Sequence, residues 1–149
     1  MDNDRLEVVC LVDPDVEFPA TRSRELGVER TSAALADVLA DPDTDAVSIC
    51  SPHPFHCVQA IAAAEAGKHV LVEKPMAMDV AEATRMIAAA EASGICLYVA
   101  ASATYQPIVS FLRDVVHSGR WIGDLTSASV RTSCAFLSKD RSSAYIILW

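Results

Sequence analysis

Short apolar runs alternate with longer amphipathic segments along the first two thirds of the chain. The runs lie at 6–12, 46–50, 69–72 and 95–99. They are rich in valine, leucine and isoleucine, and they lack the every-second-residue alternation of a half-exposed strand. We therefore predict four strands that are covered on both faces, which is typical of a parallel sheet.

Helices are predicted between these strands. Three of them lie at 18–26, 55–66 and 80–93, and a glycine follows each of them directly, as expected at a helix end. A further helix is predicted from Thr31 or Ser32, either of which can cap it, to Ala40. Strands that alternate with helices of about 10 to 15 residues imply right-handed crossovers, so we predict an α/β fold with a doubly wound parallel sheet.

The pattern changes near residue 104. A helix with one apolar face is predicted there, ending at Gly119, and a strand-like stretch follows at 125–132. We expect 1–103 to form one domain and 104–149 to be a linking helix and the beginning of a second. The last residues, 144–149, are apolar to the final position, whereas chain termini are usually polar, and this indicates a truncation.

Composition narrows the class of protein. The chain has 149 residues, 52% of them hydrophobic, so it can bury a core, and its net charge is -8. The 12 lysines and arginines are scattered, which argues against a nucleic-acid partner or an anionic membrane. The acidic N-terminus and the lack of a long apolar run predict a cytoplasmic protein.

The cysteines predict neither a metal site nor a disulfide framework. The five are odd in number and form no Cys-x-x-Cys pair: Cys10, Cys50, Cys57, Cys96 and Cys134. Most lie in apolar runs, so we expect buried thiols. The spacing of His53 and His56 does not fit a helical metal pair, and we expect no bound metal.

Polar residues end three of the four predicted strands. Asp13 follows the first strand, Ser51 and His53 follow the second, and Glu73 and Lys74 follow the third. Because ligands bind at the carboxyl ends of the strands in an open parallel sheet, we expect one binding rim.

Asp13 and Lys74 are the two residues of this rim with the clearest chemistry. An acidic residue in the position of Asp13 accepts hydrogen bonds from adenosine ribose hydroxyls and repels a 2′-phosphate, which favours NAD over NADP. Lys74 could orient a substrate oxygen or donate a proton to it during hydride transfer. The alternatives are an Asp-Pro turn for Asp13, an exposed turn lysine for Lys74, and turn solvation or helix capping for His53 and His56.

The segment 67–72 followed by Glu73-Lys74-Pro75 closely resembles the Gfo/Idh/MocA family of oxidoreductases (glucose-fructose oxidoreductase, inositol dehydrogenase and rhizopine catabolism proteins). The likeness covers nearly the whole chain. It includes Asp13, Leu26-Gly27-Val28, Asp45-Ala46-Val47, Ser51-Pro52 with His56, and Gly119-Arg120-Trp121-Ile122-Gly123.

The resemblance implies NAD(P)-dependent oxidation or reduction of a sugar, cyclitol or related polyol by a homo-oligomer. It also implies an N-terminal Rossmann domain and a C-terminal α/β domain. Lys74 would match the family lysine that lies near the nicotinamide and the reacting hydroxyl. The expected cofactor-binding residues are Asp13, Ser51, Pro52, His53, His56, Glu73 and Lys74.

Several departures from the family pattern limit what this chain can do. His53 replaces the usual asparagine, and Thr104 stands where an arginine is common. The chain starts at the equivalent of the family's second strand, and none of its five glycines forms a Gly-x-Gly loop to hold a pyrophosphate. The family's downstream aspartate and histidine would lie beyond Trp149.

Loss of the first strand has a structural consequence, because in the usual order 3-2-1-4-5-6 that strand is central. We therefore expect the strands at 6–12 and 46–50 to aggregate or to re-pair. An inactive enzyme fragment is the favoured interpretation. The alternative is a non-catalytic nucleotide-binding or partner-binding module derived from such an enzyme.

Overall fold

The computed structural model describes residues 6–15, 17–124, 127 and 145–148. By contacts the chain forms two units, Met1–Ala100 with Arg141–Trp149, and Ala101–Asp140. The first unit contains strands β1 (Cys10–Val12), β2 (Thr31–Ser32), β3 (Ala46–Cys50), β4 (His69–Val72), β5 (Leu97–Val99) and β6 (Tyr145–Leu148). Its helices are α1 (Glu17–Leu26), α2 (Leu35–Leu39), α3 (His56–Glu65) and α4 (Val80–Ser93), with a 3-10 turn at His53–Phe55.

The six strands form one sheet in the order β2-β1-β6-β3-β4-β5. The pairs β1-β2, β3-β4 and β4-β5 are parallel, as the sequence predicts. Strand β6 lies between β1 and β3 and is antiparallel to both; Ile147 is opposite Leu11 on one side and Ser48 on the other. The fold is thus a Rossmann-type α/β sheet.

The predicted re-pairing of the two apolar strands is confirmed, because β6 occupies the central position between them. The physical reason is that both β1 and β3 present rows of backbone N–H and C=O groups that need partners. Residues 145–148 therefore lie in the first unit of the chain, whereas the sequence pattern assigned them to the second domain.

The core lies where α3 and α4 cover β3 and β4. Val47, Ile49 and Val72 are fully buried in the strands, and Met86 of α4 packs in the same cluster. Burial of such side chains stabilises the fold by about 1.5–3 kcal/mol each. Small residues such as Ala63 give α3 a flat inner face.

Local signals explain the bounds of α4. Asp79 caps it, since the carboxylate accepts a hydrogen bond from the Glu82 amide at 2.8 Å, and the Glu82 carboxylate accepts one from Met78 N at 3.1 Å. The pair resembles a capping box, but the Glu82 carboxylate accepts from Met78, the residue before the cap, and not from Asp79. The helix ends at Gly94, which has a φ of 68° that a residue with a side chain would adopt only with strain.

The prediction of a helix starting at Thr31 or Ser32 is wrong. These residues form β2, because Leu11 N donates to Arg30 O at 3.0 Å and Asp13 N donates to Ser32 O at 3.1 Å. Pairing with the free side of β1 outweighs the capping tendency of two hydroxyl residues. Helix α2 consequently begins only at Leu35.

Two smaller expectations also change. The first strand is shorter than predicted, since only Cys10–Val12 of the 6–12 run is paired. Cys10 and Cys57 are buried thiols as predicted and Cys50 is half-buried, but Cys96 is exposed because it follows the end of α4 at the edge of the sheet. Cys134 lies outside the described residues.

The second unit contains a 3-10 turn at Ser102–Tyr105 and helix α5 (Pro107–Ser118), which ends at Gly119 as predicted. Its apolar residues Ile108 and Phe111 are more than half exposed. The strand predicted at 125–132 falls outside the described residues except for position 127. No helix in the described part of the chain is long and apolar enough to cross a membrane.

Candidate functional site

The carboxyl ends of β1, β3 and β4 lie at the same edge of the sheet. Strand β4 is parallel to β3. Strand β1 runs in the same direction as β3, because β1 and β3 are each antiparallel to β6. The residues that follow these strands, Asp13, Ser51 and Glu73, therefore share one edge. One strand separates β1 from β3, so the two ends are roughly 10 Å apart at the usual spacing of neighbouring strands.

Asp13 is a buried carboxylate with one unused oxygen. Its side chain is 5% exposed, and Oδ1 accepts a hydrogen bond from Asp15 N at 2.8 Å. Oδ2 has no hydrogen-bond partner among the described residues. A buried oxygen without a donor is costly. Asp13 thus forms a turn through one oxygen, as in the alternative interpretation of the sequence, and its other oxygen has no donor among the described residues.

Ser51 and His56 point into the protein. Ser51 Oγ bonds with Gln59 Oε1 of α3 at 2.5 Å, and Ser51 is nearly buried. His56 is fully buried, with Nδ1 2.9 Å from Pro75 O and Nε2 2.8 Å from Ser51 O. The sequence contains no signal for the contact with Gln59, because neither helical nor strand periodicity joins the two residues.

Pro52 and His53 lie on the outer side of the same segment and are exposed. The His53 ring meets the His56 ring edge-on, with centroids 5.6 Å apart. The segment after β3 therefore has an exposed part that a ligand can reach and a buried part that holds it to the fold.

The turn after β4 presents Lys74 to solvent. Glu73 N donates to Ile49 O at 2.9 Å, and the Glu73 carboxylate accepts from Lys74 N at 3.1 Å. The Lys74–Pro75 peptide bond is cis. The Lys74 ammonium forms no hydrogen bond or ion pair with a described residue. Its charge is therefore available to a ligand.

The thiol of Cys50, at the end of β3, has a raised pKa. Burial raises the pKa of its thiol, the Ser48 hydroxyl opposes this by hydrogen bonding, and the Glu73 carboxylate adds a further rise. A thiol with a raised pKa stays protonated at neutral pH, and the thiolate is the reactive form. Asp13, with a buried oxygen that lacks a described partner, and Lys74, with an exposed side chain, are the remaining candidates at this edge.

No glycine directly follows β1, β3 or β4 in the described part of the chain. Gly27, Gly67, Gly94 and Gly119 all have positive φ and follow helices, so they serve as helix ends. A pyrophosphate loop needs glycines between a strand and the N-terminus of the next helix. The described residues thus supply a buried carboxylate and an exposed lysine but no loop of this type. They also contain no group of three or more side chains that could hold a metal ion.

The chain belongs to the Gfo/Idh/MocA family, whose profile, described as an oxidoreductase family with an NAD-binding Rossmann fold, matches residues 1–101. It is 33% identical over 114 residues to 1,5-anhydro-D-fructose reductase of Ensifer adhaerens, covering 76% of this chain and 34% of that protein. It is 43% identical over 117 residues to 1-carboxy-3-chloro-3,4-dihydroxycyclo hexa-1,5-diene dehydrogenase of Comamonas testosteroni, covering 78% and 30%.

Solved structures agree with this assignment. The WlbA dehydrogenase of Bordetella pertussis, in complex with NADH and UDP-GlcNAcA, superposes with a TM-score of 0.74 and 32% identity. That match covers 78% of this chain and 34% of the dehydrogenase. The chain spans about a third of the length of the relatives it matches.

Proposed function

We propose that this chain carries the ribose-binding and lysine-bearing edge of an NAD-dependent oxidoreductase that acts on a sugar, cyclitol or related polyol. The buried Asp13 carboxylate is the observation that carries the proposal. Its Oδ2 has no partner among the described residues, and it lies on the sheet edge that also holds Lys74. The hydroxyls of an adenosine ribose would supply the donors that this oxygen needs.

Asp13 also supports a preference for NAD over NADP. Its carboxylate is buried, and a buried charge interacts strongly with a nearby charge because the local dielectric is low. A 2′-phosphate on the ribose would place a second negative charge against it. Binding of NADP would therefore be disfavoured.

The exposed residues Pro52 and His53 and the half-buried Glu73 complete the proposed cofactor contacts along the same edge. Ser51 and His56 are buried and support this edge from inside. The cofactor, when bound, supplies the hydride chemistry. Lys74 would orient the reacting oxygen of the substrate and exchange a proton with it. Its free ammonium and its position after β4 support this role.

Sugar-like substrates are supported by the relatives. One is named 1,5-anhydro-D-fructose reductase, and another is named levoglucosan dehydrogenase. We assign residues 104–140 to the link and the beginning of the substrate domain of a homo-oligomer, which agrees with the exposed apolar residues of α5. Residues 141–149, which the sequence pattern also assigned there, belong to the first unit. The free thiols in the described part fit a reducing compartment such as the cytoplasm.

A non-catalytic partner-binding module is the second candidate, and it depends on apolar strand edges that could pair with another chain. Strand β6 already pairs with both β1 and β3. The structure therefore contains no observation that favours this candidate over the first.

The cofactor preference can be tested by titrating the labelled chain with NADH and with NADPH while recording amide chemical shifts. We expect shifts at residues 13–15, 51–53 and 73–74, and binding of NADPH that is weaker by about tenfold or more. Asp13→Asn should weaken the binding of NADH and reduce the difference in affinity between NADH and NADPH. Asp15→Asn is the matched control, because Asp15 is exposed and adjacent. Equal effects of the two variants would contradict the ribose role.

Turnover gives a separate test. We expect no steady NADH production by this chain with inositol or simple sugars, since the described residues supply Lys74 but no pyrophosphate loop. Sustained, substrate-dependent NADH production would show that the edge described here is already a complete active site.

A further inference from the structure

Both ring nitrogens of His56 contact backbone carbonyls inside the protein. The side chain has no exposed surface, and its nitrogens lie 2.9 Å from Pro75 O and 2.8 Å from Ser51 O. A fully buried side chain cannot contact a cofactor at the sheet edge that holds Asp13 and Lys74. It does contact the segment after β3, through Ser51, and the turn after β4, through Pro75.

The turn that carries Lys74 is held on either side. On the N-terminal side, Glu73 N donates to Ile49 O, which continues the β3-β4 ladder by one bond. On the C-terminal side, the Pro75 carbonyl meets His56. Lys74 lies between these two anchors, and its own amide bonds only to the neighbouring Glu73 carboxylate.

We propose that His56 is a positioning residue that links the carbonyls of Ser51 and Pro75 and thereby fixes Lys74 relative to the end of β3. This inference rests on the proposed role of Lys74 and goes beyond it by assigning the placement of that lysine to a buried ring. Without the link, the bond from Glu73 N to Ile49 O would be the one hydrogen bond between the described residues of this turn and β3.

An imidazole suits this task for geometric reasons. Its ring is rigid, and its two nitrogens point in different directions, so it can contact two carbonyls on separate segments. A neutral imidazole donates one of these hydrogen bonds, and an imidazolium donates both. Leucine has a similar volume but no donor, and it would leave two buried carbonyls without this partner.

Hydrogen exchange of the cofactor-free chain tests the proposal. In His56→Leu, we expect the amides between residues 73 and 77, other than Pro75, which has no N–H, to exchange about tenfold faster or more, because the turn opens locally. His56→Gln, which keeps one donor, should restore part of the protection. Cys57→Ala is the matched control: Cys57 is buried on the same helix, and its thiol contacts Glu82 O of α4. It should leave residues 73–77 unchanged.

Equal protection of residues 73–77 in the native chain and in His56→Leu would overturn the proposal, and so would an equal loss in Cys57→Ala. If His56→Leu does not fold, the native chain provides the test. Its His56 ring should give at least one slowly exchanging imidazole N–H signal in ¹H–¹⁵N spectra. A His56 ring without such a signal would refute the link.

Repeating the exchange measurement with NADH separates this inference from the proposed function. If NADH fails to bind while His56→Leu still exposes residues 73–77, the cofactor site is wrong and the structural link stands. If NADH binds and the turn is equally protected in both proteins, the link is wrong and the site stands.

Discussion

The two halves of the sheet are built in different ways. In the half formed by β3, β4 and β5, consecutive strands pair in parallel and are joined by α3 and α4. In the other half, β1 and β2 pair over only two residues, and β1 reaches β3 only through β6. The first half depends on neighbours in sequence, whereas the second depends on pairing of Val12 with Ile146 from the far end of the chain.

This difference indicates where stability and chemistry lie. The first half contains most of the fully buried side chains, and contacts of Glu73 with Ile49 and of Pro75 with His56 hold the turn that carries Lys74. The second half holds Asp13, whose position depends on β1 staying in the sheet. We therefore expect changes in the two halves to have separable effects, and the variants below are ordered by the size of their expected effect.

Ile49→Ala should cause the largest loss of stability. Ile49 is fully buried in β3, and truncation leaves a cavity between the sheet and its helices, so we expect a loss of about 4 kcal/mol. Urea unfolding followed by circular dichroism measures this loss. Ile87→Ala is the control, since Ile87 is 47% exposed on α4, and it should cost about 1 kcal/mol or less. Similar losses would mean that the core is not where the structure has it.

Ile147→Pro should separate the two halves. Proline removes a backbone N–H from a strand that pairs on both sides, and we expect a loss of about 3 kcal/mol. Hydrogen exchange should show that β1 loses protection while β4 keeps most of its own. Ile147→Val keeps the N–H and should behave like the native chain. Unchanged protection of β1 in the proline variant would mean that β6 does not hold that strand.

Asp79→Ala should have a smaller effect that is confined to the first half. The carboxylate caps α4, and loss of such a cap costs about 1 kcal/mol. Thermal or urea unfolding can resolve this change. Asp79→Asn retains an acceptor and should lose much less, so equal losses would argue against a cap.

The smallest expected effect is on the pH dependence of stability in the half of the sheet that contains β1 and β2. A hydrogen bond from the Asp43 amide, followed by one from the Arg30 guanidinium, lowers the pKa of Asp41. Because this pKa is lowered in the folded protein, its contribution to stability is present above the pKa of the unfolded state and is lost as the pH falls through the folded value. Arg30→Gln should shift the urea midpoint slightly at pH 7, and the shift should shrink toward pH 3. A shift that grows in acid would contradict this assignment.

The same contrast explains how much of the fold could be predicted. The bounds of β3, β4 and α4 follow from local signals, namely continuous apolar runs, the Asp79 cap and the glycine after the helix. Strand β2 consists of Thr31 and Ser32 and has no apolar pattern of its own. Its conformation is set by pairing with β1, so β2 can be recognised only when the position of β1 in the structure is known.

The candidate site was predictable to the same extent. Asp13, Ser51 and Lys74 follow apolar runs, and a parallel sheet brings such residues to one edge. The inward direction of His56 could not be predicted, because its partner Pro75 is 19 positions away on another element. Nor does any sequence signal show that Asp13 Oδ2 is buried without a partner among the described residues.

Saturation-transfer NMR of the native chain with NADH tests the central claim most directly, because it reports which parts of a weakly bound ligand touch the protein. The account predicts strong transfer to the adenosine ribose protons, and a clear loss of that transfer in Asp13→Asn but not in Asp15→Asn. Absence of transfer to NADH, or ribose transfer that Asp13→Asn leaves unchanged, would contradict it.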